Sequence, residues 1–369
     1  MGGGLETSAT DFLEQLLKNE KYEVVLLTDV MSYSGMKELV KRYPNLVYCR
    51  RTPHKTYKNY FVRLFWKLYK PFYRLKRYRI LRRKYDIIID YKNLESLHLC
   101  KHISDIPKVA WLHGSMKWVE SIFTQSDFSD CDYVICLSQE MKRVLSSWFS
   151  SSSSYSPKVR CLYNKIDKDA ICTLATTSSL SLPSFPYFIY VARLDKDKDA
   201  MTVLDAYYEF EKEHNSGVHL YIIGDGIEKI TIDARIEEIN MKEKIHTLGF
   251  IDKPYFYMKH ALANILSSYS EGFGMVLLEA MALGTLNIAS DCPSSMKEIL
   301  LSGEAGLLFT PGSVEELKER FCDVYYRRVD IDTMIQKATD SLSRFDSSHI
   351  MSRVDALIDE IIQTYTRAR

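Results

Sequence analysis

Short apolar, β-branched runs alternate with amphipathic stretches along this chain. They stand at Val24–Leu27, Ile87–Ile89, Val109–Leu112, Tyr133–Leu137, Phe188–Val191, Leu220–Ile223 and Leu286–Ala289. Parallel neighbours in a sheet are reached only through a crossover, usually helical, so this rhythm predicts parallel sheets built from βαβ units. At 369 residues the chain exceeds one ordinary core and suits two α/β domains. The texture changes between them, with a serine run at Ser150–Ser154 and a polar stretch at Thr176–Pro186. The expected division is an N-terminal domain over 1–166, a second domain over 167–345 and a C-terminal helical segment over 346–369. The serine run reads as a loop ending the helix Gln139–Phe149, which Ser138 is expected to cap.

Hydrophobic residues at 46% and charged residues at 26% suit a globular protein, and no apolar run approaches the roughly 20 residues of a membrane span. The eight cysteines are scattered without a C-x-x-C pair. They are expected to be reduced core residues of a cytosolic protein, not zinc ligands. The net charge of +1 conceals an asymmetry, because Arg50 to Lys84 holds fourteen Lys or Arg and no Asp or Glu. Tyr60, Phe61, Phe65, Trp66, Tyr69, Phe72, Tyr73 and Tyr78 interleave these cations. Such a composition suits an interfacial helix pair on anionic lipid, so residues 50–84 are expected to meet a membrane surface. A solvated helical face is the plainer reading, and nucleic acid is not expected because no nucleic-acid motif accompanies the patch.

The second half carries the candidate chemistry. Val191 leads into Ala192-Arg193-Leu194-Asp195-Lys196-Asp197-Lys198, a strand end presenting two cations five residues apart. Ligands of open α/β sheets bind at the carboxyl ends of strands, where such cations can neutralise a phosphate pair; two solvated surface charges are the alternative. Tyr221-Ile222-Ile223-Gly224-Asp225-Gly226 runs a strand into a tight glycine turn, and His246-Thr247-Leu248-Gly249-Phe250 repeats the pattern, offering a surface to a base. The strongest signal is Ser270-Glu271-Gly272-Phe273-Gly274 followed by the apolar helix holding Glu279. Free amides and the positive helix end there suit a diphosphate, and Glu279, one turn in, stands within reach of a ribose. Glu279 taken alone reads as a buried acid satisfying a polar neighbour.

These motifs resemble those of the GT-B fold glycosyltransferases of family four, over almost the whole chain. The resemblance implies two Rossmann-like domains with parallel sheets facing across a cleft, and transfer of a hexose from a nucleotide-sugar with retention of configuration. It implies that Arg193 and Lys198 bind the donor diphosphate, that Glu271 binds the donor sugar, that Glu279 binds the ribose, and that the amides of Gly272, Phe273 and Gly274 lie beside sugar and phosphates. Further matches are Ala282-Leu283-Gly284, the stretch Asp291 to Glu298 in place of Asp-x-Pro-Gly-Gly-x-x-Glu, and Ala305-Gly306-Leu307-Leu308 before Pro311-Gly312. In the first half Trp111-Leu112-His113-Gly114 is similar to the family's active-site histidine, which places His113 in the sugar pocket. Asn164 matches a linker position, with Lys165 replacing a frequent proline.

Gly3 and Gly4 resemble the family's first glycine loop, which ordinarily follows a first strand; here the loop starts at Gly2. That strand is expected in about ten residues upstream of Met1. The expected partners are a nucleotide-sugar, with uracil as the base, and a glycan or lipid-linked glycan acceptor. The expected setting is lipopolysaccharide or surface polysaccharide assembly on the inner face of the cytoplasmic membrane. No cofactor or metal is expected: Asp195-Lys196-Asp197 reads as a D-x-D metal site, but Arg193 and Lys198 oppose a cation there. A nucleotide-sugar 2-epimerase and a catalytically silent membrane-surface scaffold are the rival readings.

Overall fold

The computed structural model describes residues 4–28, 34–43, 47–50, 85–91, 106–151, 156–176 and 183–367. Gly3, most of the serine run and the basic segment beyond Arg50 lie outside the described residues. The chain divides into two compact units, Met1–Ala110 with Asp359–Arg369, and Trp111–Ile358.

In the first unit, α1 (Gly4–Lys18) and β1 (Val25–Thr28) are followed by α2 (Ser34–Arg42) and β2 (Val47–Arg50). β1 pairs in parallel with β2, Val25 opposite Val47. Leu13 and Leu39 bury their side chains among Leu17, Val24, Leu26, Val40 and Tyr43, which pins both helices by their apolar stripes. A second parallel pair joins β3 (Ile88–Asp90) to β4 (Lys108–Trp111), Ile88 opposite Lys108.

The second unit opens at Trp111, the last residue of β4. It continues through α3 (Met116–Ile122), β5 (Tyr133–Cys136), α4 (Gln139–Ser150), β6 (Lys158–Cys161) and α5 (Lys168–Thr176). Ser138 caps α4 as expected, its Oγ accepting from Met141 N at 3.0 Å. Six strands then form one parallel sheet: β7 (Tyr187–Val191), β8 (His219–Ile223), β9 (Ile245–Gly249), β10 (Ala263–Leu266), β11 (Leu286–Ser290) and β12 (Leu307–Phe309). Their connections carry α6 (Ala200–His214), α7 (Lys229–Glu238), α8 (Tyr255–Lys259), α9 (Met275–Ala282) and α10 (Met296–Ile299). Then come α11 (Val314–Tyr325), α12 (Ile331–Ser341) and α13 (Ser347–Arg367), whose last residues belong to the first unit.

The spatial order is β12-β11-β10-β7-β8-β9. The strands run outward in both directions from the β7/β10 junction, which is the doubly wound Rossmann arrangement, and that junction is its switch point. Phe188, Tyr190, Ile265 and Ile288 are fully buried around it, within a core shared with Tyr207, Phe210 and Phe321. No helix among the described residues is long and apolar enough to cross a membrane. Six cysteines among the described residues are free, five of them buried.

Candidate active site

The switch point brings together the loops after β7 and β10. After β7 the chain passes Arg193 and tightens into a 3-10 turn at Lys196–Lys198 before α6. The loop after β10 holds this turn in place: Ser267 Oγ donates to the carbonyls of Lys198 and Asp199, both at 2.8 Å, and Tyr269 N donates to Asp197 O at 2.9 Å. Tyr190, buried in β7, adds a third hold by donating its hydroxyl to Lys198 O at 2.8 Å. The Lys198 side chain forms an ion pair with Glu271, and both are mostly shielded from water. Ser268 Oγ donates to the same carboxylate at 2.8 Å. Arg193 is 69% exposed and pairs with Asp195 at 2.8 Å.

That last pair commits Asp195 to a cation of its own loop. Among the described residues no three His, Cys, Asp or Glu converge as a candidate metal site.

Glycines here permit close backbone approaches. A Cβ on Gly272 would stand 1.9 Å from His113 O, so the Glu271–Gly274 turn lies directly on the segment following β4. Ser115 and Ser270 strengthen that seam with an Oγ···Oγ hydrogen bond of 2.5 Å. A Cβ on Gly224 would meet Ala192 O at 1.9 Å. The Gly224-Asp225-Gly226 turn thereby presses on the Arg193 loop, which it also holds through Leu194 N to Asp225 O at 3.0 Å. Gly224 thus supports the loop that bears the cation.

Gly274 N-caps α9 at φ 82° without any side-chain cap; its carbonyl accepts from Leu277 N at 3.0 Å, which leaves the two amides ahead of Leu277 to be satisfied from outside the helix. Phe273 is buried, its ring 5.9 Å from Tyr163 and 5.8 Å from Phe345. One turn into α9, Glu279 accepts from Tyr255 Oη at 3.4 Å, and burial pushes its carboxyl up to about 7. His113 stacks on Trp111 at 6.0 Å, and burial pushes its imidazole down to about 3, so the ring is neutral at physiological pH. Gly249 has φ 70° and ends β9, and Phe250 beyond it is 53% exposed. Gly4 opens α1 in the other unit.

The structure therefore brings Lys198, Glu271, Gly272 and the His113 backbone together, with Arg193 earlier on the Lys198 loop and Gly224 on the turn that supports it. Ser115, Ser267 and Ser270 join them, Tyr255 joins Glu279, and all four were missed in the sequence. Ser267 stands directly after a buried strand at the switch point, a signal that was available. Ser115 and Ser270 carry none, since their meeting is a property of the fold.

Two family models match the chain almost end to end: "Glycosyltransferase Family 4" over residues 2–170 and "Glycosyl transferases group 1" over residues 178–339. A 4-alpha-N-acetylgalactosaminyltransferase of Campylobacter jejuni, acting on N-acetylgalactosamine-N,N'-diacetylbacillosaminyl-diphospho-undecaprenol by its name, is 34% identical over 42% of this chain and 41% of its own length. A lipopolysaccharide 1,6-galactosyltransferase of Salmonella typhimurium is 32% identical over 35% of this chain and 36% of its own. The chain thus spans about two fifths of the length of these curated relatives. The crystal structure of Anabaena HepE in complex with UDP superposes with a TM-score of 0.72, 19% identity, and coverage of 98% of this chain and 97% of that one. At that identity the likeness speaks for the fold. Motifs, doubly wound sheet and the two adjoining family matches agree, and the chain belongs to the GT-B glycosyltransferases of family four.

Proposed function

We propose that this protein transfers a hexose from a nucleoside-diphosphate sugar, with uridine as the nucleoside, to a glycan or lipid-linked glycan in the assembly of lipopolysaccharide or another surface polysaccharide. The observation that carries this reading is the Lys198–Glu271 pair beside the uncapped start of α9, at the switch point of the sheet. A cation, free amides and the helix dipole converge where a departing diphosphate develops charge, and a pre-organised site contributes most there. Glu271 supplies an acceptor for sugar hydroxyls and holds Lys198 aimed before the donor arrives. Arg193 reaches the distal phosphate from the exposed side of its loop. Glu279 accepts from the ribose, Gly249 and Phe250 flank the base, and neutral His113 donates to the sugar.

These cations neutralise the diphosphate directly, which supports transfer without a metal ion. The far side of the sugar has no assigned carboxylate nucleophile of the kind a double displacement needs. Retention then follows from attack on the face the diphosphate leaves, with the leaving phosphate taking the acceptor proton. In this reading residues 1–166 serve the acceptor, 167–345 the donor, and the basic segment 50–84 holds the enzyme on the anionic inner leaflet. The Campylobacter relative, whose name specifies a diphospho-undecaprenol acceptor, supports the lipid-linked class.

Thermal unfolding with UDP, GDP and their sugar conjugates tests the donor. A ligand at about 100 times its Kd adds roughly 2.7 kcal/mol of stability, so a shift specific to uridine nucleotides is the expected result. No shift with any nucleotide would remove the transferase reading and favour a scaffold. Conversion of the donor without an acceptor would favour an epimerase, and activity abolished by EDTA would restore a metal.

A further inference from the structure

Where the family motif has two glycines ahead of its glutamate, this chain has Ser294 and Ser295 ahead of Glu298. None of the three has a part in the transfer scheme above. The serines face the nucleotide turn: Ser295, buried, donates from Oγ to Phe273 O at 2.5 Å, and Ser294 donates to Gly272 O at 3.4 Å. Three residues on, Glu298 faces the other way. Its carboxylate accepts from Gln139 N at 3.0 Å and Glu140 N at 2.7 Å, the first two residues of α4. It also accepts from Tyr163 Oη at 3.1 Å, and the Tyr163 ring packs on Phe273 at 5.9 Å. Burial and the adjacent carboxylate push the Tyr163 phenol up to about 12, so it stays a donor. Arg344 braces the segment from behind, donating to the carbonyls of Glu298 at 2.9 Å and Ile299 at 3.2 Å.

One short segment thus grips the carbonyls of the glycine turn at one end and the amides of α4 at the other. A carboxylate at a helix N-terminus forms charge-assisted hydrogen bonds and is favoured by the dipole, so the second grip is firm. The first uses hydroxyls that glycines lack. We propose that Ser295 and Glu298 are positioning residues of the nucleotide site, coupling the Gly272–Gly274 turn to the first turn of α4, so that a diphosphate ordering one also orders the other. This rests on the nucleotide reading of the site.

Hydrogen–deuterium exchange of the full chain, with and without UDP, reads the coupling. In the natural protein UDP slows exchange by about fivefold or more both at 272–274 and at 139–141. In Glu298→Gln, whose amide puts a donor against donors, the slowing at 272–274 persists and that at 139–141 is lost. Tyr163→Phe, which removes one hydroxyl and no packing, weakens the response at 139–141 and serves should Glu298→Gln fail to fold. A response at 272–274 with none at 139–141 in the natural protein overturns the coupling while leaving the nucleotide reading intact, and so does a full response at both places in the variants. No UDP response at 272–274 in the natural protein overturns the nucleotide reading, and the coupling with it.

Discussion

The two ends of strands β7, β8 and β9 use similar residue types for opposite purposes. At their carboxyl ends stand Arg193, Lys198 and, from the neighbouring loop, Glu271, held in ion pairs. At their amino ends Phe185 stacks on His219 at 3.6 Å and on His246 at 5.5 Å, and His219 Nδ1 meets His246 Nε2 at 2.8 Å. Burial pushes both imidazoles down, His246 adding to the effect on His219, so this end favours neutral rings. At one end of the sheet titratable side chains stand beside backbone amides and close approaches, and at the other they pack against one another.

The sharpest way to break this comparison is to truncate one residue at each end. Glu271→Ala leaves Lys198 without its acceptor and removes the proposed sugar contact; transfer should fall by about 10²–10³ or more, the range for a pre-organised electrostatic group. The expected change in melting temperature is small. His246→Ala should do the reverse, preserving initial rates while lowering the melting temperature through lost ring packing. Steady-state rates and thermal unfolding on both variants decide it, and equal loss of activity from both would erase the distinction.

Next in size is Gly272→Ala. Its new Cβ meets the His113 carbonyl, a backbone atom that yields poorly, so stability should drop by about 1–3 kcal/mol and activity with it. Gly249→Ala meets no atom within 4 Å and bears only the cost of its φ of 70°, about 1 kcal/mol. Denaturant unfolding of the two variants separates crowding at the site from backbone strain at its margin.

Much of this arrangement was legible in the residues. The runs now seen as β5, β7, β8 and β11 stood out because full burial demands apolar, β-branched composition. β10 escaped, being four residues long with Asn264 in the middle; that asparagine is tolerated because its amide donates to Asn287 at 2.8 Å, and Asn287 in turn donates to Leu277 O. β6 was not among the apolar runs, because Lys158 and Arg160 interrupt its alternation with cations. In the site, Arg193, Lys198, Glu271 and Glu279 could be found because spacing along one loop or helix is a local property. The Lys198–Glu271 pairing, the Ser115–Ser270 seam and the burial of Phe273 could not, since each depends on which strands become neighbours. Glycine was the most ambiguous residue: Gly224 and Gly272 signalled close approach, but the approaching atoms are the protein's own carbonyls.

Acid should expose the amino-terminal end of the sheet first. His219 and His246 have folded-state values below the unfolded one near 6.5, so the unfolded chain binds protons that the folded one refuses. Their contribution is complete above about pH 6.5 and is lost progressively below it. Both rings are half-buried, and the solvent that still reaches them keeps the effect modest. His113, pushed to about 3, acts with the same sign over a wider window. Melting temperature measured from pH 7.5 to 5 should fall, and less steeply in a His219→Phe, His246→Phe double variant.

The smallest effect, at the carboxyl end, has the opposite sign. Burial raises the Glu279 carboxyl from 4.5 to about 7, so its contribution to stability is present below about pH 4.5 and is lost as pH rises through 7. Nucleotide binding runs against that trend if Glu279 accepts from the ribose, because the ionised form is the better acceptor and the ligand must draw the proton off. UDP affinity should then strengthen from pH 6 to pH 8 by about tenfold, the roughly 1–1.5 kcal/mol by which a hydrogen bond to a charged acceptor exceeds one to a neutral acceptor. Glu279→Gln, neutral throughout, should bind UDP with one affinity across that range. Calorimetric titration at pH 6, 7 and 8 gives both curves. A flat natural curve alongside a flat variant curve would leave Glu279 as a buried acid satisfied by Tyr255, the role that His219 and His246 fill for each other at the far end of the sheet.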